Sequence, residues 1–238
     1  FILTNIWNSM SKYGILIRGL ISDWTKYAIK EYNEKFPDVK IVITTWDYED
    51  ISELPCKIIQ SKEPPRQPFN TTINRMITQI QKGLEYLDSE IILQCRTDQI
   101  IHNKKIFEIF EKSCHNKIMV PHGGTKYSPY YVMDYCQMAT KDILSEFWYN
   151  MPFFDGKENI STEAYLSKNY VTKTKKDLRS WQDCHHDYFC YKGFFEDFKI
   201  EWYEYANYSS YRDVFLNVRK RLSIPYEEFL KKFIRFTE

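Results

Sequence analysis

Four short apolar runs punctuate the first hundred residues, and each is followed at once by polar residues. They are residues 13–19 (Tyr-Gly-Ile-Leu-Ile-Arg-Gly), Val39 to Thr45, Cys56 to Gln60 and Ile91 to Cys95. Two segments with helical spacing lie between them. Trp24 to Lys35 is amphipathic, can be capped by Ser22 or Asp23, and is stopped by Phe36-Pro37. Asn70 to Leu87 carries Ile73, Ile77, Ile80 and Leu84 on one face and follows a polar, proline-bearing loop over 61–70. Short buried strands alternating with helices predict an α/β fold with a mostly parallel sheet covered on both faces. Such sheets bind ligands at the carboxyl ends of their strands. Three polar clusters stand at those ends: Arg18-Gly19, Thr45-Trp46-Asp47 and Arg96-Thr97-Asp98. They are expected to converge on one edge.

The second half reads less regularly. A helix is expected over Ile106 to Lys112 and a strand over Lys117 to Pro121. His122-Gly123-Gly124 reads as a turn and Tyr130 to Met133 as another strand. Asp134 is expected to start a helix reaching about Trp148, and Ser161-Thr162-Glu163 to start a further one. Residues 171–187 read as irregular, and Gly193 to Tyr203 as partly strand-like. Helices are expected over 213–221 and after Pro225.

Composition narrows the function class. The chain has 238 residues, 43% hydrophobic and 27% charged, with seven glycines. That suits one large domain with a core that needs no disulfide staples. A net charge of +1 argues against a dedicated nucleic-acid partner, which would need a basic face. The basic residues of the segment from Arg212 to Arg235 mark a solvated helix face or a peripheral membrane contact. No stretch approaches the roughly 20 apolar residues that span a bilayer, and a cytoplasmic location is expected. The six cysteines form no CxxC pair and read mainly as free thiols. Cys184 and Cys190 flank His185 and His186, but this spacing fits no common zinc module.

An ordered set of motifs is similar to the WavE lipopolysaccharide-synthesis family. It begins with residues 14–21 (Gly-Ile-Leu-Ile-Arg-Gly-Leu-Ile), Phe36-Pro37 and residues 41–47 (Ile-Val-Ile-Thr-Thr-Trp-Asp). Asn74-Arg75-Met76-Ile77 with Gly83-Leu84 follows, then Arg96-Thr97-Asp98, Tyr131-Val132-Met133-Asp134 and residues 161–166. The resemblance covers roughly residues 13–170. Arg18 stands where that family usually has Gln, and Leu20 where it has Pro.

The resemblance implies a GT-A-like, Rossmann-like glycosyltransferase. It would move a sugar from a nucleotide-sugar donor to a glycan or glycolipid acceptor, in surface polysaccharide or lipopolysaccharide synthesis. One domain over 1–238 is expected, with a nucleotide-binding half (13–105) and an acceptor-side half (106–238). GT-A enzymes commonly hold Mn²⁺ or Mg²⁺ on an Asp-x-Asp run. Here Arg96 occupies the first position, so Asp98 is the one carboxylate of the run for a metal. The expected donor-binding set is Arg18, Gly19, Asp47, Asn74, Arg75, Arg96, Thr97 and Asp98. Glu163 and Asp134 are the candidate catalytic bases. His185-His186-Asp187 lies where such enzymes often place a His near the metal or diphosphate. Two alternatives are a sugar-phosphate nucleotidyltransferase and a non-catalytic nucleotide- or carbohydrate-binding domain.

Overall fold

The computed structural model describes residues 11–67, 69, 71–121 and 129–202. The expected turn at His122-Gly123-Gly124, the basic segment Arg212–Arg235 and the two C-terminal helices lie outside the described residues. Among the described residues, seven strands form one sheet: β1 (Ser11–Arg18), β2 (Lys40–Trp46), β3 (Lys57–Ser61), β4 (Ser89–Arg96), β6 (Ile118–Pro121), β7 (Gln137–Thr140) and β8 (Phe189–Lys192). Two short strands, β5 (Gln99–Ile101) and β9 (Ile200–Trp202), pair separately. The order across the main sheet is β3-β2-β1-β4-β7-β6-β8. Pairing is parallel except that β7 runs antiparallel to both β4 and β6. The fold is thus the mostly parallel α/β sheet flanked by helices that the run spacing predicts.

The α-helices among the described residues are α1 (Asp23–Lys35), α2 (Ile73–Tyr86), α3 (Ile106–Ser113), α4 (Lys141–Tyr149), α5 (Thr162–Asn169) and α6 (Trp181–Tyr188). Helix α2 shows how the sequence makes its own packing surface. Ile73, Met76, Ile77, Ile80, Gly83 and Leu84 recur at three- and four-residue steps, and all are buried. Each large apolar side chain buried this way stabilises by about 1.5–3 kcal/mol. Gly83 lets the helix backbone approach β1: a Cβ there would lie 2.2 Å from Leu16 Cδ1. Helices α1 and α3 meet through Phe36 and Phe107, edge to face at 5.4 Å.

Several local readings need correction. Tyr130–Met133 is not a strand and Asp134 does not open a helix. Residues 131–134 are irregular, the strand is β7, and α4 begins after Thr140, whose hydroxyl accepts from the Ile143 amide at 3.5 Å. Gln137 is buried within β7 and accepts from Trp148 Nε1, so its polarity masked a central strand. Residues 171–187 are not irregular throughout: a π-helical turn (Tyr170–Thr174) and α6 occupy much of them. Trp181 and Cys184, three apart and both buried, are the apolar signal of α6. The cysteines are mainly free, as expected, with one bonded pair that the sequence did not indicate. Cys114 and Cys190, 76 residues apart, are disulfide-bonded, whereas Cys56, Cys95, Cys136 and Cys184 are free. The β6–β8 pairing brings the bonded pair together. Among the described residues, no helix is long and apolar enough to cross a membrane.

Candidate active site at the carboxyl edge of the sheet

Strand register brings the expected clusters together. Arg18 on β1 is the partner of both Thr44 on β2 and Arg96 on β4. The three strand ends therefore share one edge. Gly19 leaves β1 with φ +134°, and its amide donates to the Thr44 carbonyl at 3.2 Å. A Cβ at Gly19 would lie 2.5 Å from Thr97 Oγ1. Glycine is required there both by backbone conformation and by this approach. Thr97 is itself pinned: its amide donates to the Arg18 carbonyl at 2.9 Å, and its carbonyl accepts from Thr25 Oγ1 at 3.2 Å.

The Arg96-Thr97-Asp98 turn carries a bidentate ion pair. Arg96 Nε donates to Asp98 Oδ1 and Nη2 to Oδ2, both at 2.9 Å. Trp202 Nε1 donates to the same Oδ2 at 3.2 Å, and the Trp202 ring lies 5.0 Å from the Arg96 guanidinium carbon. Tyr135 packs against Trp202 in turn, their ring centroids 4.4 Å apart. The Gln99 side-chain oxygen accepts from the Arg96 amide at 3.2 Å. Charge-assisted, doubly hydrogen-bonded pairs of this kind fix geometry as well as charge.

Arg18 is buried. Its Nη2 donates to the Asp134 carbonyl at 3.3 Å. With the Gln94 amide turned so that its oxygen faces the guanidinium, that oxygen accepts from Arg18 Nε at 3.0 Å. Burial pushes the Arg18 guanidinium down to about 10, against the pull of Asp134. Arg18 thus acts from beneath the edge, as a fixed positive charge. The Asp134 carboxyl is pushed up to about 7, first by burial and then by Glu163, while Arg18 and Arg96 oppose the rise. The two expected bases therefore share one electrostatic neighbourhood with both guanidiniums. Glu163 sits in the first turn of α5, whose N-cap Ser161 accepts from the Ala164 amide at 3.3 Å; its Oε1 accepts from Tyr131 at 3.2 Å.

Other expected residues have different surroundings. Asp47 follows β2 and is exposed, with its amide bonded to the Ser61 carbonyl. Arg75 pairs with Glu63 at 2.6 Å, and Tyr48 donates to the same carboxylate at 2.9 Å. Asn74 is buried and spends its amide on the chain: Nδ2 donates to the Phe154 carbonyl at 3.0 Å and Oδ1 accepts from the Phe154 amide at 2.7 Å. It ties α2 to the 152–154 segment, which is a structural task. His185 stacks on Trp181 and bonds Tyr191, while Asp187 pairs with Arg179. Trp202, Gln94, Gln99 and Tyr135 are site residues that sequence reading missed. Trp202 reaches Asp98 across 104 residues, so no local signal marks it.

The metal expected at Asp98 can be tested against these donors. A hard dication in such a site is held by one or two protein carboxylates, with substrate phosphates and waters completing its shell, so it needs carboxylate oxygens that are not already committed. Both oxygens of Asp98 are engaged by Arg96, and one also by Trp202. Among the described residues, no group of three His, Cys, Asp or Glu could hold a metal ion. A fixed guanidinium occupies the place of a second carboxylate. These residues do not form a site suited to Mn²⁺ or Mg²⁺.

Two solved structures illustrate what the chain is similar to. One is a glycosyltransferase involved in the glycosylation of the major capsid of PBCV-1, at 12% identity and TM-score 0.42, covering 76% of this chain and 82% of that one. The other is the bifunctional IspDF from Campylobacter jejuni, at 12% identity and TM-score 0.45. That match covers 79% of this chain and 51% of IspDF, about half its length. No curated protein matches the sequence. The motif resemblance is borne out over the segment that carries Arg18, Asp47, Arg75 and Arg96-Thr97-Asp98: residues 17–122 match the family model described as WavE lipopolysaccharide synthesis.

Proposed function

We propose that this protein is a glycosyltransferase that moves a sugar from a nucleotide-sugar donor to a glycan or glycolipid acceptor in lipopolysaccharide or other surface polysaccharide synthesis. The observation that carries the reading is the meeting of three polar strand ends at one sheet edge, beside a carboxyl poised near neutrality. A crevice outside parallel strand ends is where such sheets bind nucleotides. The family match over residues 17–122 supports the same conclusion.

In this reading residues 13–105 form the donor half and 106–238 the acceptor half. Asp47 and the Tyr48–Glu63–Arg75 group flank the nucleoside end, and Arg96 faces the diphosphate. Gly19 and Thr97 shape the floor between them. Asp134 is the base: it takes the proton from the acceptor hydroxyl as that oxygen forms a bond to the anomeric carbon. The bond from that carbon to the diphosphate oxygen breaks, and the nucleoside diphosphate leaves with its electron pair. A base near 7 is matched to this task at neutral pH. Glu163 keeps Asp134 there through like-charge repulsion, and Arg18 and Arg96 limit the rise. A cytoplasmic location, peripheral to a membrane, completes the proposal.

The test is a panel of UDP-, GDP- and CMP-sugars assayed for hydrolysis or transfer, alongside nucleotide titrations. One nucleotide class should bind and turn over. Asp134→Asn should abolish turnover while leaving nucleotide affinity within about threefold, because its role is in proton transfer. Absence of binding by any of the three nucleotides sinks the reading.

A further inference from the structure

We infer that this chain binds its nucleotide-sugar donor without a divalent cation, the diphosphate charge being met by Arg96, held on Asp98 and Trp202, together with the fixed charge of buried Arg18. The inference rests on the nucleotide-sugar reading of the site and adds how the donor's charge is held.

In an Asp-x-Asp run, two carboxylates are available to a dication and its phosphate oxygens complete the shell. This chain presents one carboxylate at that place, and three N–H groups already converge on its two oxygens. A cation at Asp98 would have to break a bidentate pair and settle beside a permanent positive charge. Further bonds oppose that rearrangement. Gln99 holds the Arg96 amide, and the β5–β9 pairing of Gln99 with Trp202 sets the indole against both members of the pair. Asp134 lies buried beside Arg18, whose Nη2 bonds its backbone carbonyl, so a cation placed there would meet a second guanidinium. Arg18 and Arg96 are near enough to perturb one another, so the edge carries two guanidiniums. A guanidinium stays charged at any working pH and meets phosphate oxygens in a planar fork. The pair therefore performs the neutralising task of a metal, with Asp98 as the support that aims Arg96.

Isothermal titration of UDP and GDP into the full chain, once in EDTA and once in saturating Mn²⁺, tests this directly. The nucleotide that binds should do so with affinities within about threefold in the two buffers, a difference below about 0.7 kcal/mol. Mn²⁺ titrated into the protein alone, followed by electron paramagnetic resonance of the free ion, should show no site that Asp98→Asn removes. Arg96→Asp rebuilds two carboxylates and should make nucleotide binding depend on Mn²⁺ by about tenfold or more. Tightening of the wild-type protein by about tenfold in Mn²⁺, or an Asp98-dependent Mn²⁺ site, overturns the inference while leaving the nucleotide-sugar reading intact. No nucleotide binding in either buffer overturns that reading, and this inference with it. The wild-type comparison needs no variant, so a misfolded Arg96→Asp chain does not blunt the test.

Discussion

Replacing Gly19 by alanine probes the contact on which the site is built. Gly19 has φ +134° and sits over Thr97, so an added methyl meets two penalties. Holding a non-glycine residue in such a sparsely populated conformation costs about 1–3 kcal/mol. The methyl would also lie 2.5 Å from Thr97 Oγ1, well inside ordinary contact. Thr97 cannot simply retreat: it is 3% exposed, and its amide and carbonyl are both bonded. Together these give a destabilisation of about 2–4 kcal/mol, near the upper end for a single substitution. In urea that is a midpoint roughly 1 M lower, for a slope of about 2–3 kcal/mol/M. Thr97→Ala separates the two penalties. Alone it should cost about 1 kcal/mol. Combined with Gly19→Ala it removes the clash but not the backbone strain. The pair should then be less unstable than the sum of the singles by about 1–2 kcal/mol. Additive singles, or a Gly19→Ala chain within about 0.5 kcal/mol of wild type, would refute the close-approach argument. Because Thr97 sits between Arg96 and Asp98, Gly19→Ala should also weaken nucleotide binding, measurable by the same titrations.

The other predictions concern buried polar groups. Asn74→Ala should cost about 2–4 kcal/mol in urea unfolding, because it strips the buried Phe154 amide and carbonyl of their shared partner; a loss below about 0.5 kcal/mol would mean the 152–154 segment is held by other contacts. Asp134 sets a pH dependence of opposite sign to the usual carboxylate. Its folded value of about 7 exceeds its ordinary 3.8, so the folded state holds the extra proton and stability should fall as pH rises between those values, then level off. Asp134→Asn should flatten that window, and kcat/KM of the wild type should rise through an apparent pKa near 7. His102 bridges Glu31 and Glu201 on α1 and β9, with Lys35 bonded to Glu31 and to the His102 carbonyl. Those carboxylates raise the imidazole above 6.5 despite its burial, so its contribution is full below 6.5 and is lost as pH climbs through the raised value. Glu31 is held down to about 2, so its contribution is present above 4.5 and is lost as pH falls toward 2. His102→Ala should cost about 3–5 kcal/mol near pH 6, since it removes the imidazole bonded to the fully buried Glu201 carboxylate and to Glu31; equal unfolding midpoints for the two proteins at that pH would remove the clamp from the stability account.

Much of the N-terminal half was legible because burial leaves a local imprint. Runs such as Ile15-Leu16-Ile17 and Ile91-Ile92-Leu93 are apolar without alternation since both sheet faces are covered. The spacing of Ile73, Ile77, Ile80 and Leu84 repeats the helical turn, and Ser161 announces α5 by its hydroxyl. The order of these elements was enough to predict that Arg18, Thr45-Trp46-Asp47 and Arg96-Thr97-Asp98 end on one edge. What each polar side chain does there was not legible. Asn74 has the look of a ligand contact until Phe154, 80 residues on, is seen to consume it. Gln137 disguised β7 because its partner, Trp148, lies on the following helix. The cysteines are mainly free, as their spacing suggests, but the Cys114–Cys190 bond was not legible because the two are far apart in sequence and meet beside the β6–β8 pairing. Asp98 reads as a metal ligand because the family resemblance aligns Arg96-Thr97-Asp98 with an Asp-x-Asp run. Only the tertiary structure shows that carboxylate committed to Arg96 and Trp202. The physical reason is the same in each case: apolar burial repeats along the chain with the period of its own element, whereas a buried polar group is defined by a partner that the fold brings from far away.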